Sequence, residues 1–291
     1  MATIIDGKKI AAEVRAELRE KIEKMVAETK RRPALAVVLV GEDPASKVYV
    51  RNKAKACEEI GVASEVVTLA EDITQEMLEY ILNSYAARVD IDGILLQMPL
   101  PKGLDGEKAL ACIPAEKDVD AFHPVNVGKI MIGDYNFLPC TPAGVMELLK
   151  AYDIDVCGKE VAVVGRSNIV GKPQAMLMLH ANATVTICHS RTKNLSEVLR
   201  RADVVVMAIG KAKFLKADMI KEGAVIIDVG MNRDENGKLC GDVDFDECEK
   251  KASYITPVPG GVGPMTITML MKNTLTAAKS GQPDGKPTAN A

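Results

Sequence analysis

Hydrophobic positions along the chain alternate between two periods. Ile10, Val14, Leu18, Ile22 and Met25 recur every three or four residues, the single stripe of an amphipathic helix. After Arg32-Pro33 the run LAVVLVG is short, β-branched and closed by glycine, which predicts a strand buried on both faces. Asp43 then stands where an N-cap belongs, Pro44 at the first helical position and Gly61 at the stop, so a helix is expected between them. SEVVTL, TQEMLEYILNSYAAR and DGILLQ continue as strand, helix and strand. This alternation is the pattern of a parallel sheet with helices on its faces.

Between Met98 and Leu138 the periodicity fades into a segment rich in Pro, Gly and charge, expected to be a functional rim with short elements inside it. Thr141-Pro142 offers a cap and first-turn proline for a helix over AGVMELLKAY, read as the bridge between two domains. From Lys159 the alternation restarts with KEVAVVG, VGKPQAMLMLHA, ATVTICH, NLSEVLRRA, DVVVMAIG and GAVIIDVG. A proline-glycine loop and a last helix follow. The expectation is an α/β protein in which residues 1–140, completed by a helix at about 265–280, form a substrate-binding catalytic domain. Residues 141–264 form a Rossmann-like nucleotide domain with a cleft between the two, and 281–291 are a disordered tail.

Composition removes several function classes. Lys and Arg number 37 and Asp and Glu 40, a formal net charge of −3 with both signs scattered. That argues against a nucleic-acid or membrane-surface binder. Six Tyr, four Phe and no Trp are too few for base-stacking platforms. The longest uninterrupted apolar run, Ala34–Val40, falls well short of the ~20 residues of a spanning helix. MATIIDGKKIAAEVRAELRE has no apolar signal core, so a cytoplasmic setting is expected. Seven dispersed cysteines without a CxxC pair read as reduced thiols. His123, His180 and His189 form no ligand cluster, and no metal is expected.

The chemistry concentrates in a few stretches. VAVVGRSNIVGKP places Gly165 at the end of a strand and Gly171 at the start of a helix, a turn that brings backbone N–H groups to a pyrophosphate or, without ligand, simply closes a tight βα connection. Ser167 replaces the middle glycine of the usual dinucleotide motif. The next strand ends in CHSRT, where an NAD enzyme carries an acid for the ribose hydroxyl; Ser190 and Arg191 stand there instead. With Arg166 they favour NADP. In the first unit Tyr49 and Lys53 lie four apart on one helix face, and Gln97 ends a strand at the same sheet edge. Asp118 and Asp120 follow in the rim. Together these can move protons and hold a nitrogen heterocycle; singly, each reads as a cap or surface charge. A short-chain dehydrogenase reading of YxxxK fails on order, because here it precedes the nucleotide turn. PVPGGVGPMT is either a close backbone approach to a flat ligand or a flexible turn before a helix.

YVRNKAK, DGILLQMPLP, KDVDAFHPVNVG, PCTPAGV, GRSNIVGKP, CHSRT, DVGMN and PVPGGVGPMT, taken together, resemble the bifunctional methylenetetrahydrofolate dehydrogenase/cyclohydrolase family. The resemblance implies NADP-dependent oxidation of 5,10-methylenetetrahydrofolate, hydrolysis of the methenyl product to 10-formyltetrahydrofolate, a homodimer through the nucleotide domain and a place in one-carbon metabolism and purine biosynthesis. It further implies that Lys53 is the catalytic lysine of the hydrolysis, Tyr49 stacks on the folate, Gln97 tunes Lys53 and Asp120 holds the pterin. Met98, Gly260, Gly261, Pro264 and Thr266 would line the substrate site. Gly165, Arg166, Ser167, Ser190 and Arg191 would hold NADP, with Met231 at its nicotinamide end. One departure stands out: the family carries KDVDG, and here Ala121 replaces the glycine, which would strain the loop if the position needs positive φ. A shikimate-dehydrogenase-like plan also uses a lysine and an aspartate but leaves Gln97 and PVPGGVGPMT unexplained. A silent sensor would not need Lys53, Gln97 and Asp120 together.

Overall fold

The structure, a computed structural model, describes residues 1–281. The tail expected to be disordered lies outside the described residues from position 282 on. Along the chain run β1 (Thr3–Ile4), α1 (Gly7–Thr29), β2 (Ala34–Val40), α2 (Pro44–Ile60), β3 (Ala63–Leu69), α3 (Gln75–Ala87), β4 (Gly93–Leu96), α4 (Gly106–Ala111), α5 (Pro124–Ile132) and α6 (Cys140–Ala151). Then come β5 (Glu160–Val164), α7 (Gly171–His180), β6 (Thr184–Cys188), α8 (Leu195–Arg201), β7 (Val204–Met207), β8 (Val225–Asp228), β9 (Asn232–Arg233), β10 (Leu239–Cys240), α9 (Phe245–Cys248), β11 (Tyr254–Ile255) and α10 (Val262–Ser280). Two compact units share these elements. One holds Met1–Ala12 and Pro139–Thr266; the other holds Glu13–Leu138 and, among the described residues, 267–281.

The second of these is built on a three-stranded parallel sheet, β3-β2-β4. LAVVLV earns its burial by being central: every residue of β2 is buried, whereas the edge strand β3 is mostly exposed. Burying a Val or Leu side chain contributes ~1.5–3 kcal/mol, so β2 with Leu78, Leu82, Ile94 and Ile113 anchors this core. Helix α2 has the ends its sequence announces. The Asp43 carboxylate accepts from the Ser46 N–H at 2.7 Å, Pro44 opens the first turn, and Gly61 stops the helix at φ +85°. Beside β4 the rim segment adds a short parallel stretch, with Ile94 bridged to Asp118.

The other unit carries a six-stranded parallel sheet, β1-β11-β8-β7-β5-β6. Its chain runs from β5 to β6 on one side and then returns past β5 to β7 on the other. The strand ends of β5 and β7 therefore flank a topological switch point, where doubly wound sheets bind ligands. Residues 1–12, grouped with 13–140 in the sequence reading, fall in this unit because β1 pairs with β11. Two residues are too few to leave a hydrophobic signature. Helix α6 begins at Cys140, one residue before the expected cap Thr141. The Thr141 hydroxyl instead lies 3.0 Å from that of Thr266.

Candidate active site

In the three-stranded unit, α2 follows β2 and carries Lys53 two turns in. Only 9% of Lys53 is exposed, and its Nζ donates to Gln97 Oε1 at 3.0 Å. Gln97 continues the ladder beyond β4, its backbone N–H donating to Val38 O at 2.9 Å. Its Nε2 donates to Met98 O at 2.7 Å, which turns the amide oxygen toward the lysine. Tyr49 lies one turn before Lys53, half-buried, its hydroxyl held above the usual range by burial. Cys57, one turn beyond, is a neutral core thiol pushed up to about 12 by burial, against the opposing pull of Ser64 and Lys53. Its sulfur contacts Met271 Sδ at 3.4 Å.

Asp120 sits half-buried on a loop whose neighbours are pinned. The buried Asp118 carboxylate accepts from the His123 N–H at 2.7 Å and from Asn126 Nδ2 at 2.9 Å. From α10, Asn273 Nδ2 donates to Val119 O at 2.7 Å and Leu138 O at 2.8 Å. His123 Nδ1 accepts from the Val125 N–H at 3.1 Å and caps α5. Asp118 is therefore the anchor of this loop. Ala121 has φ +57° and is fully buried, so the position adopts the left-handed backbone at which the resembled family carries glycine. For alanine that conformation costs ~1 kcal/mol.

In the six-stranded unit, Gly165 ends β5 at φ +135°, and a Cβ there would stand 2.2 Å from Ala208 O. A Cβ at Gly171 would stand 2.3 Å from Gly165 O, so only glycines let this turn close. Ser167 Oγ accepts from the N–H groups of Val170 at 3.2 Å and Gly171 at 3.3 Å, a cap built by the residue that replaces the middle glycine. Arg166, Ser190 and Arg191 are exposed at the ends of β5 and β6. Arg191 sits on a loop tied by Thr192 Oγ1, which accepts from the His189 N–H at 2.8 Å, and by His189 Nδ1, which accepts from the Arg191 N–H at 3.1 Å.

Met231 follows β8, half-exposed, close enough to α10 that a Cβ on Gly263 would lie 3.6 Å from its Cε. Gly260, at φ +113°, accepts from the Lys8 N–H at 3.1 Å, and the Gly261 N–H donates to Pro257 O at 2.8 Å. Pro264 occupies the first turn of α10. The structure thus brings Lys53, Gln97, Tyr49 and the Asp120 loop into one unit. Gly260, Gly261, Pro264, Thr266 and Met231 belong to the other, with Gly165, Arg166, Ser167, Ser190 and Arg191.

The sequence reading passed over Asp228 and Asp242, two buried carboxylates of the six-stranded unit. Their signal is an acid at a strand end with a glycine close by, in DVG and GDVD. Burial, reinforced by the neighbouring Asp242 charge, pushes Asp228 up to about 7 even though backbone N–H groups oppose the shift. Asn126 and Asn273 were also missed, since a single asparagine carries no periodic signal. Among the described residues no group of His, Cys, Asp and Glu is arranged to hold a metal, and no helix is long and apolar enough to cross a membrane.

Residues 5–120 match the family model described as tetrahydrofolate dehydrogenase/cyclohydrolase, catalytic domain, and residues 139–282 the model of its NAD(P)-binding domain. The bifunctional protein FolD of Acetivibrio thermocellus is 56% identical over 278 residues, covering 96% of this chain and 97% of that one. The bifunctional FolD methylenetetrahydrofolate dehydrogenase/cyclohydrolase structure from Campylobacter jejuni superposes with a TM-score of 0.94 at 50% identity, covering 96% of this chain and 99% of its own. A Trypanosoma brucei methylenetetrahydrofolate dehydrogenase-cyclohydrolase, complexed with NADP cofactor and inhibitor, gives a TM-score of 0.91 at 41% identity, covering 95% and 97%.

Proposed function

We infer, for a chain that belongs to the tetrahydrofolate dehydrogenase/cyclohydrolase family, that it oxidises 5,10-methylenetetrahydrofolate with NADP and then hydrolyses the methenyl product to 10-formyltetrahydrofolate. The observation that carries the reading is the Lys53–Gln97 pair, a buried ammonium oriented at 3.0 Å by an amide that is itself held. Oxidation removes a hydride from the methylene carbon and leaves a cation shared between N5 and N10. Water then adds to that carbon and the bond to N5 breaks. Of the water's two protons, one finishes on N5 and one leaves to solvent. In this reading Lys53 carries these protons, and its hydrogen bond to Gln97 supports that role by holding Nζ in one position.

Asp120 accepts hydrogen bonds from the pterin in this reading, Tyr49 stacks on the aminobenzoyl ring, and Met98, Gly260, Gly261, Pro264 and Thr266 line the substrate. The six-stranded unit fits NADP on two counts. Its glycine turn leaves no room for a Cβ beside the switch point, and the chain end of β6 offers Ser190 and Arg191 with no carboxylate to repel a 2′-phosphate. NADP, when bound, supplies the hydride acceptor. Gly165, Ser167 and the start of α7 approach its pyrophosphate, Arg166, Ser190 and Arg191 hold the 2′-phosphate, and Met231 packs at the nicotinamide end.

The domain division that goes with this reading gives folate the unit of Glu13–Leu138 with the last helix, and nucleotide the unit of Pro139–Thr266 with Met1–Ala12. The open β6 edge, with Ile187 38% exposed, supports a homodimer through the nucleotide domain. Seven free cysteines support the cytoplasm, where 10-formyltetrahydrofolate serves purine synthesis. Purified chain, methylenetetrahydrofolate and NADP, with NADPH and methenyl-folate followed separately, test the function. Two-step turnover is expected; absence of turnover with NADP bound would withdraw the folate assignment.

A further inference from the structure

Two acids that take no part in the chemistry above lie buried together beneath the strand ends of the six-stranded unit. Asp228 ends β8, and its own N–H donates to Thr256 Oγ1 at 2.7 Å. Its Oδ1 accepts from the N–H groups of Gly230 at 2.9 Å and Asp242 at 3.0 Å, and its Oδ2 from that of Val243 at 2.9 Å. Asp242 returns from the β9–β10 hairpin and is fully buried. Its Oδ2 accepts from the N–H groups of Ile209 at 2.7 Å and Gly210 at 3.1 Å. Its Oδ1 accepts from the Lys211 N–H at 2.7 Å and from Asn232 Nδ2 at 2.9 Å.

Neither carboxylate has a cationic partner among the described residues; every donor that faces them is an amide. A Cβ on Gly230 would stand 2.3 Å from the Asp242 carboxylate, and one on Gly241 1.8 Å from that of Asp228. Two glycines are thus spent to let the acids lie against backbone. Burying two like charges side by side is costly, and in a fold that needed only to be stable an apolar pair would serve as well.

What the pair holds explains why it is there. Three consecutive N–H groups at the end of β7 point inward to Asp242, in the way such a backbone run elsewhere cradles a bound anion. Residues 208–211 flank the switch point, with Ala208 packed on the glycine turn at Gly165. Asn232 brings the segment after β8, with Met231, onto the same carboxylate, and Asp228 accepts from the Gly230 N–H in that segment. The loops after β7 and β8 thus hang from one pair of acids.

We propose that Asp242, backed by Asp228, is the positioning residue for hydride transfer: it fixes the backbone of residues 208–211 and 230–232 against the nicotinamide half of NADP without touching the folate chemistry. The proposal rests on the NADP-dependent function inferred above. It separates the two activities, because hydrolysis of the methenyl bridge needs Lys53 and no nucleotide.

Asp242→Asn keeps the size of the side chain but turns an amide N–H₂ onto backbone donors. Both steps are measured on the full-length variant beside wild type: NADP-dependent oxidation with its KM for NADP, and hydrolysis of methenyltetrahydrofolate supplied without nucleotide. The expected result is a loss of about 100-fold in oxidation with a raised KM for NADP, and hydrolysis within about three-fold of wild type. Asn232→Ala, which removes a single donor from a half-exposed side chain, covers the case in which Asp242→Asn does not fold; about five-fold loss in oxidation alone is expected there. Parallel loss of both activities in either folded variant would show a merely structural role and overturn the proposal, as would oxidation left at the wild-type rate. A wild type that hydrolyses methenyl-folate but never reduces NADP would instead overturn the functional reading beneath it.

Discussion

Lys53 is nine-tenths buried, with its ammonium fixed on Gln97, whereas Arg166, Ser190 and Arg191 stand in solvent at the ends of β5 and β6. The unit that carries Lys53 ties its polar side chains: Gln97 to Met98, Asp118 to His123 and Asn126, Asn273 to Val119. At the nucleotide loops the ordering lies in the backbone, in glycines that admit no Cβ and amides gathered by Ser167 and Asp242. Proton transfer needs a group whose position is set before substrate arrives, because reach and orientation decide its efficiency. Phosphate recognition tolerates mobile cations, whose attraction acts over several ångströms, provided the backbone leaves the space.

Changes on the folate side should therefore be steeper than changes at the phosphate loops. Asp120→Ala removes a charged acceptor on a rigid loop and is expected to lower both activities about 100-fold, the equivalent of ~3 kcal/mol for a hydrogen bond to a charged group, read as kcat/KM for folate. Arg191→Glu places repulsion where a solvated cation stood. It should cut kcat/KM with NADP about tenfold while sparing NAD and sparing hydrolysis, since exposed pairs are worth little individually. Equal losses with both nucleotides would put Arg191 outside phosphate recognition.

A third prediction concerns stability. Asp228, raised to about 7 in the folded chain, titrates near 4 when unfolded. Between those values the folded state holds a proton that the unfolded state has released, so this group lowers stability as pH rises from about 4 to 7 and has no further effect above. Asp228→Asn cannot titrate, so its unfolding midpoint should gain on wild type across that window; a constant gap from pH 4 to 8 would contradict the shift. The smallest effect is expected from Ala121→Gly. Release of ~1 kcal/mol of left-handed strain is offset by greater unfolded-chain entropy and a lost buried methyl, leaving activity within a few-fold. A large gain in catalytic efficiency would mean the strain reaches Asp120.

Where the sequence carried repeating information, the fold was readable from it. LAVVLV could only be a buried strand, and Asp43, Pro44 and Gly61 marked both ends of α2 in advance. The two-residue strand β1 was not readable, because its existence depends on pairing with β11 some 250 positions away, and β11 itself is too short to leave a pattern. For the candidate site, the sequence put Lys53 and Gln97 at one sheet edge, where the structure pairs them, and Asp120 in the rim segment of the same unit. Asp118 was seen but its work was not, since only the fold shows that its carboxylate is spent on His123 and Asn126. Asp242 was invisible for the same reason: the β7 amides it gathers lie more than thirty residues earlier in the chain. Local pattern reveals elements and glycine turns, whereas long-range hydrogen bonds to backbone leave no pattern at all.

The claim that proton handling resides in Lys53, apart from the nucleotide machinery, is tested most directly by one time course on Lys53→Met supplied with methylenetetrahydrofolate and NADP, with NADPH and methenyl-folate recorded together. The account predicts that NADPH still forms and methenyltetrahydrofolate accumulates in step with it, because hydrolysis is lost. Continued conversion to 10-formyltetrahydrofolate at the wild-type rate would contradict it.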